Sequence, residues 1–172
     1  MSDTSPQVWV GTYSAYNNGS LKGKWFDLAT YGDKEEFLEA CQEFHGPGEH
    51  EFMFSDHMNI PARFISESSI SDDTWEEWVD LDEDDRELLE VYLDEVDSRG
   101  DLDKAREAFN GKFSSEEDWA AQFWEDCGML AEIPAHAQNY IDYASYARDC
   151  RLGGDMTFVS KGGEVWAFSN NV

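Results

Sequence analysis

Cations are scarce in this chain: 12 Lys and Arg stand against 38 Asp and Glu in 172 residues, giving a formal net charge of −26. Without a basic face to replace counterions, direct binding to nucleic acid or to an anionic membrane surface is excluded. Cysteine is scarce too. Cys41, Cys127 and Cys150 are too few, and odd in number, for a disulfide framework, so a reducing compartment is expected. No apolar run reaches the roughly 18 residues that a membrane span needs, and residues 1–7 hold no basic stretch ahead of an apolar one, so the reading is soluble and cytoplasmic. What is present argues against disorder: 41% of the residues are hydrophobic, and Trp, Tyr and Phe number 7, 7 and 11, enough to build cores.

The pattern along the chain predicts an α+β protein drawn out as three small modules. In the first, 1–65, the β-prone runs 7–14 and 21–28 flank Asn17, Asn18 and Gly19 and read as a hairpin. Asp33 caps a helix over about 34–45 with Phe37, Leu38, Cys41 and Phe44 inward, ended by Gly46, Pro47 and Gly48. Residues 51–54 read as a short strand, and 55–65 as irregular. The second module, 66–103, is all helical. Ser71, Asp72 and Asp73 cap a segment holding Trp75, Trp78 and Val79, and a helix over about 82–97 carries the stripe Leu88, Leu89, Tyr92, Leu93 and Val96. A short helix through Ala105 and Phe109 follows the turn at Arg99, Gly100 and Asp101. The third, 104–172, has a helix with Trp119, Phe123 and Trp124 capped by Ser114 or Ser115 with Asp118, then a helix from Pro134 through Tyr146 to Gly153. Strands 155–160 and 164–168 close it, joined at Lys161, Gly162 and Gly163.

Charge is unevenly spread along the sequence. Residues 1–65 hold 10 acids and 4 bases, 66–103 hold 17 and 2, and 104–172 hold 11 and 6, so the nets are −6, −15 and −5. Candidate binding groups are therefore Asp72, Asp73, Glu76, Glu77, Asp80, Glu83, Glu87, Glu90, Asp94 and Asp97. The last five follow spacings of four, three, four and three, one carboxylate per helical turn of ~5.4 Å. Such a row can imitate a rail of phosphates. Duplex DNA carries one charge per ~1.7 Å of axis, so 26 charges match about 44 Å of duplex. Like charges in a row oppose helix formation by a few tenths of a kcal/mol per pair, so local stability does not explain them. The bland alternative is a solvated helix face.

Chemistry finds little footing. With 38 acids, adjacent carboxylates arise by chance, and serine-nucleophile motifs and phosphate loops are absent. Cys41, His45, His50 and His57 could ligate zinc but lack a paired CxxC or HExxH, and a buried thiol with surface imidazoles is the preferred reading. Asp80, Asp82 and Asp84 begin like a calcium loop, yet Asp85 stands where Gly is needed and Val91 where Glu should ligate. The expectation is no enzyme, no resident metal and no cofactor.

Two stretches carry a family likeness. Near the start, YSAYNNGSLKGKWFDL places Tyr13, Tyr16, Asn17, Gly19, Leu21, Gly23, Trp25 and Phe26; residues 128–149 read GMLAEIPAHAQNYIDYASYARD. Together they resemble the ArdA antirestriction proteins. The resemblance implies a DNA mimic carried by mobile genetic elements, which inhibits type I restriction-modification enzymes by occupying the DNA-binding groove of their modification and specificity core. It further implies a homodimer formed through the C-terminal domain, with Ile133, Pro134, Tyr140, Asp142, Tyr143, Tyr146, Arg148 and Asp149 in the antirestriction motif and dimer region. The rival reading is an acidic protein that sequesters other basic DNA-binding proteins.

Overall fold

The computed structural model describes residues 4–172; the first three residues of the 1–7 segment lie outside the described residues. The chain is α+β, with two three-stranded antiparallel sheets ordered β2-β1-β3 and β4-β6-β5. Where the sequence suggests three modules, the residues cluster into two compact units, Met1–Arg86 and Glu87–Val172. The boundary falls inside α3 (Glu83–Glu95), so the acidic middle 66–103 is shared between the two.

In the first unit β1 (Gln7–Thr12) is the central strand, pairing with β2 (Lys24–Asp27) and β3 (Phe52–Met58). The expected hairpin pairing is present, in the register Val8↔Phe26 and Trp9↔Trp25. Its connection is not a tight turn: Thr12 accepts a hydrogen bond from the Ala15 N–H and caps the short helix α1 (Tyr13–Asn17). Strand alternation sends Val8 and Val10 to the covered face and Trp9 to the other, where its ring meets Trp25 edge-on at 6.0 Å. α2 (Lys34–His45) starts at Asp33, whose carboxylate accepts from the Glu36 N–H at 2.8 Å. It buries Phe37 and Cys41, while Leu38 and Phe44 stay half-buried. Phe37 is the hub, its ring 5.8 Å from Phe26, 6.2 Å from Phe54 and 5.8 Å from Trp75. Burying such a ring stabilises by roughly 2–3 kcal/mol. β3 runs to Met58, four residues beyond the expected strand, because β1 offers partners as far as Gln7↔Met58.

The second unit is layered. Successive residues of β6 (Glu164–Ser169) face opposite ways, so Trp166 and Phe168 pack with Leu88, Val91 and Tyr92 of α3 and with Ala105 and Ala108 of α4 (Leu102–Ala108). Ala167 packs on the other side with Trp119 and Ala120 of α5 (Glu116–Asp126) and Ala147 of α6 (Tyr143–Leu152). Met156 and Phe158 of β5 (Met156–Lys161) join that side. β5 and β6 turn through Gly162 and Gly163, both at positive φ (63° and 80°), as a two-residue hairpin of this twist requires. β4 (Phe109–Phe113) was not expected from the sequence. Another difference concerns Pro134: no long helix starts there. Short 3-10 turns occupy Met129–Glu132 and Gln138–Tyr140, and α6 begins only at Tyr143, capped by Asp142. Gly100 is fixed by packing, since a Cβ there would lie 2.2 Å from the Tyr92 ring.

Candidate functional site

α3 holds the row of acids on its outer side. Asp82 caps it, accepting from the Asp85 N–H at 2.8 Å, and Glu83, Asp84 and Asp85 in the first turn suit the positive end of the helix. Leu88, Leu89, Val91, Tyr92 and Leu93 are buried, which anchors the backbone that presents Glu83, Glu90 and Asp94 to solvent. Glu87 is partly covered and pairs with Lys161 Nζ at 3.5 Å. Asp97 departs from the predicted row. The helix ends at Glu95, and the Asp97 carboxylate instead accepts from the Arg99 N–H at 3.0 Å in the following turn. Asp94 and Glu95 lie in a last turn with no basic residue, where the helix dipole disfavours them. Local stability thus does not explain their presence.

A second acidic group surrounds a π-helical turn, Trp75–Val79, which buries Trp75, Trp78 and Val79. Trp75 Nε1–H donates to the Tyr31 carbonyl at 2.9 Å and Trp78 Nε1–H to the Asn59 carbonyl at 2.7 Å, fixing the turn from within. Asp73, Glu76 and Asp80 are exposed around it. Asp72 accepts from Lys34 Nζ at 2.5 Å, and that hydrogen bond together with the ammonium charge holds its carboxyl below the usual range. Glu77 pairs with Arg63 at 3.0 Å. One group escaped the sequence reading: the Arg86 guanidinium donates to the Trp78 carbonyl at 3.0 Å and to the Val79 carbonyl, tying the turn to the start of α3. A single base inside an acidic run was its only trace.

The 133–149 stretch divides its members by role. Tyr146 stacks on Trp119 and Phe123 at 6.3 and 6.2 Å and meets Trp124 edge-on at 5.4 Å; Tyr143 meets Trp124 at 6.1 Å. Asp142 accepts from the Ser145 hydroxyl at 2.6 Å and its N–H at 3.0 Å, and these bonds depress its carboxyl pKa. Ile133 is half-buried, while Pro134, Arg148 and Asp149 are exposed, and Arg148 Nε lies 3.9 Å from the neighbouring Asp149. Tyr140 is 87% exposed.

With these positions established, the comparison with known families is decisive: residues 8–165 match the antirestriction protein (ArdA) family. The chain belongs to the ArdA family. No curated protein matches it significantly. ArdA membership gives the chain an antirestriction function, in a family of protein inhibitors rather than enzymes, and points to restriction enzymes as partners.

In this ArdA chain Cys41, His45, His50 and Asp82 hold structural positions, and His45 is buried where a surface imidazole is expected. Among the described residues no three His, Cys, Asp or Glu side chains are grouped to hold a metal ion, and no helix is long and apolar enough to cross a membrane. Burial pushes the Cys41 thiol up to about 12. His45 Nε2–H donates to the Val10 carbonyl at 3.3 Å and His50 Nε2–H to the Gly46 carbonyl at 3.0 Å. Asp82 serves as a helix cap and Asp84 lies within α3, so these residues do not form a calcium loop.

Proposed function

We propose that this ArdA chain inhibits type I restriction-modification enzymes by DNA mimicry, occupying the groove of the modification and specificity core as a homodimer. The observation that carries the reading is the anchored carboxylate row: Glu83, Glu90 and Asp94 stand exposed on a helix whose opposite side is buried. Rigid presentation matters because a groove lined with Lys and Arg gains most from charges that need no ordering on arrival. Mobile surface acids would gain less. Charge is also generous on both units, with 20 acids against 5 bases in Met1–Arg86 and 18 against 7 in Glu87–Val172, nets of −15 and −11. An anionic surface this broad steers encounter with a basic groove, and the steering fades as salt rises.

A rail of carboxylates offers no base edges, so inhibition should not depend on the target sequence of the enzyme. Exposed Tyr140, beside the packed Tyr143 and Tyr146, is the group in the 133–149 stretch best placed to serve a dimer contact. The test is competition: purified protein and duplex DNA are titrated against one type I enzyme, and against unrelated basic DNA-binding proteins. Mutual exclusion on the restriction enzyme, with weak binding elsewhere, supports mimicry. Equal binding to all the basic proteins would favour general sequestration, and simultaneous binding of DNA and protein to the enzyme would reject both.

A further inference from the structure

On the first unit, α2 turns a second stripe outward, away from Phe37 and Cys41. Its positions Glu35, Leu38, Glu39 and Glu43 share one side by their spacing of three and four. With Phe52 of β3 they line an open groove of about 770 Å³ whose exposed lining is mainly apolar. Leu38 and Phe52 are half-buried and supply the apolar floor, while Glu35, Glu39 and Glu43 stand exposed on the rim. At one end Lys34 is paired with Asp72, which cancels the one basic group of the lining. No ion pair among the described residues neutralises Glu35, Glu39 or Glu43.

We propose that this groove is a docking site for a basic segment of a partner protein, one in which an apolar side chain is flanked by Lys or Arg. Charge complementarity selects the occupant. Three rim carboxylates about one helical turn apart favour cationic side chains, and the Leu38–Phe52 floor takes an apolar one between them. The apolar floor also distinguishes this surface from the α3 row, because a phosphate-like rail has no use for Leu or Phe. A negatively charged ligand is excluded by the rim. The site therefore adds a contact specific for protein, and it stands whether or not α3 imitates DNA.

The probe is a short amphipathic peptide of Lys and Leu, compared with a Lys and Ser peptide of equal charge, titrated into the isotope-labelled full chain and followed by NMR shifts. The Lys and Leu peptide should bind about tenfold more tightly, with shifts centred on α2 and Phe52. Leu38→Ser should bring the two peptides to the same affinity, and the combined Glu35→Gln, Glu39→Gln and Glu43→Gln variant should weaken both. If Leu38→Ser disturbs folding, the Gln variant decides, since it alters only exposed groups. The proposal is overturned if neither peptide binds, if both bind the wild type equally, or if the shifts centre on α3. Amide replacements at Glu83, Glu87, Glu90 and Asp94 should leave peptide binding unchanged, so a failed DNA-mimic reading and a failed groove give different results.

Discussion

The acid row on α3 and the tyrosine-rich stretch at 133–149 are both candidate binding surfaces, and the fold treats them differently. On α3 the two duties are separated by side: Leu88, Leu89, Val91, Tyr92 and Leu93 hold the helix, and Glu83, Glu90 and Asp94 face water. In the 133–149 stretch the duties are interleaved. Asp142 caps α6, Tyr143 and Tyr146 pack against Trp124, and exposed Tyr140 stands among them. Substitutions at Glu90 and Asp94 therefore report chiefly on binding. In the second, the same residue type reports on stability at one position and on surface contacts at another.

The sharpest break of this comparison is collective. Changing Glu83, Glu87, Glu90, Asp94 and Asp97 together to Gln or Asn should weaken inhibition of a type I enzyme about a hundredfold, since exposed pairs contribute ~0–1 kcal/mol each and only the set is large. Thermal stability should change little, because relief at Asp94, which opposes the helix dipole, is offset by the loss of Glu83 at its favourable end and of the Glu87–Lys161 pair. Unchanged inhibition in a nuclease-protection assay would remove the row from the mechanism. Any single member, Glu90→Gln for instance, should cost no more than about fivefold.

The tyrosine pair comes next. Tyr146→Ala removes a ring in contact with Trp119, Phe123 and Trp124 and should cost about 2–3 kcal/mol by urea unfolding. Tyr140→Ala should stay within about 0.5 kcal/mol, while shifting the monomer–dimer balance in sedimentation. Equal losses of stability at both positions would erase the division of roles.

Legibility in the sequence followed the strength of local signals. α2 could be read because Asp33, Phe37, Cys41 and Gly46 agree on its start, its inner side and its end. The row on α3 was legible as far as Asp94, and failed at Asp97 because spacing continues past the point where the chain turns at Asp97–Gly100. β4 was hidden: Asn110 and Gly111 weaken its strand character, and its pairing is supplied by β6, more than fifty positions away. Pro134 misled because a helix start needs a side to bury, and 134–140 has little. Gln138 instead donates to the carbonyls of Leu130 and Ile133, holding 3-10 turns until Asp142 opens α6. Whether an exposed acid binds a partner was not legible at all, since solvated and functional carboxylates look alike in sequence.

A smaller effect tests whether a helix cap outside both surfaces is mere scaffolding. Asp33→Ala should cost about 1 kcal/mol, because α2 loses the acceptor for the Glu36 N–H, without altering inhibition beyond that loss of folded protein.

The smallest expected effect concerns the one described histidine that the first unit buries, and it contrasts a charge excluded from the interior with charges displayed outside. His45 is 9% exposed, 4.9 Å from the Phe44 ring and 6.0 Å from Phe52, with Lys22 and His50 as the cationic groups that act on it. Burial disfavours its imidazolium and lowers its pKa from 6.5, although the Val10 carbonyl it donates to works the other way. As pH falls through 6.5 the unfolded chain takes up a proton that the folded chain resists. This group's contribution to stability is therefore complete above 6.5, declines toward the lowered folded value, and changes no further below it. His45→Gln keeps an N–H donor for Val10 and removes the titration, so the wild-type melting temperature should fall relative to the variant's across that window. Parallel curves would mean that the imidazole accepts its proton without penalty, and that the interior of this sheet-and-helix unit is wetter than its packing indicates.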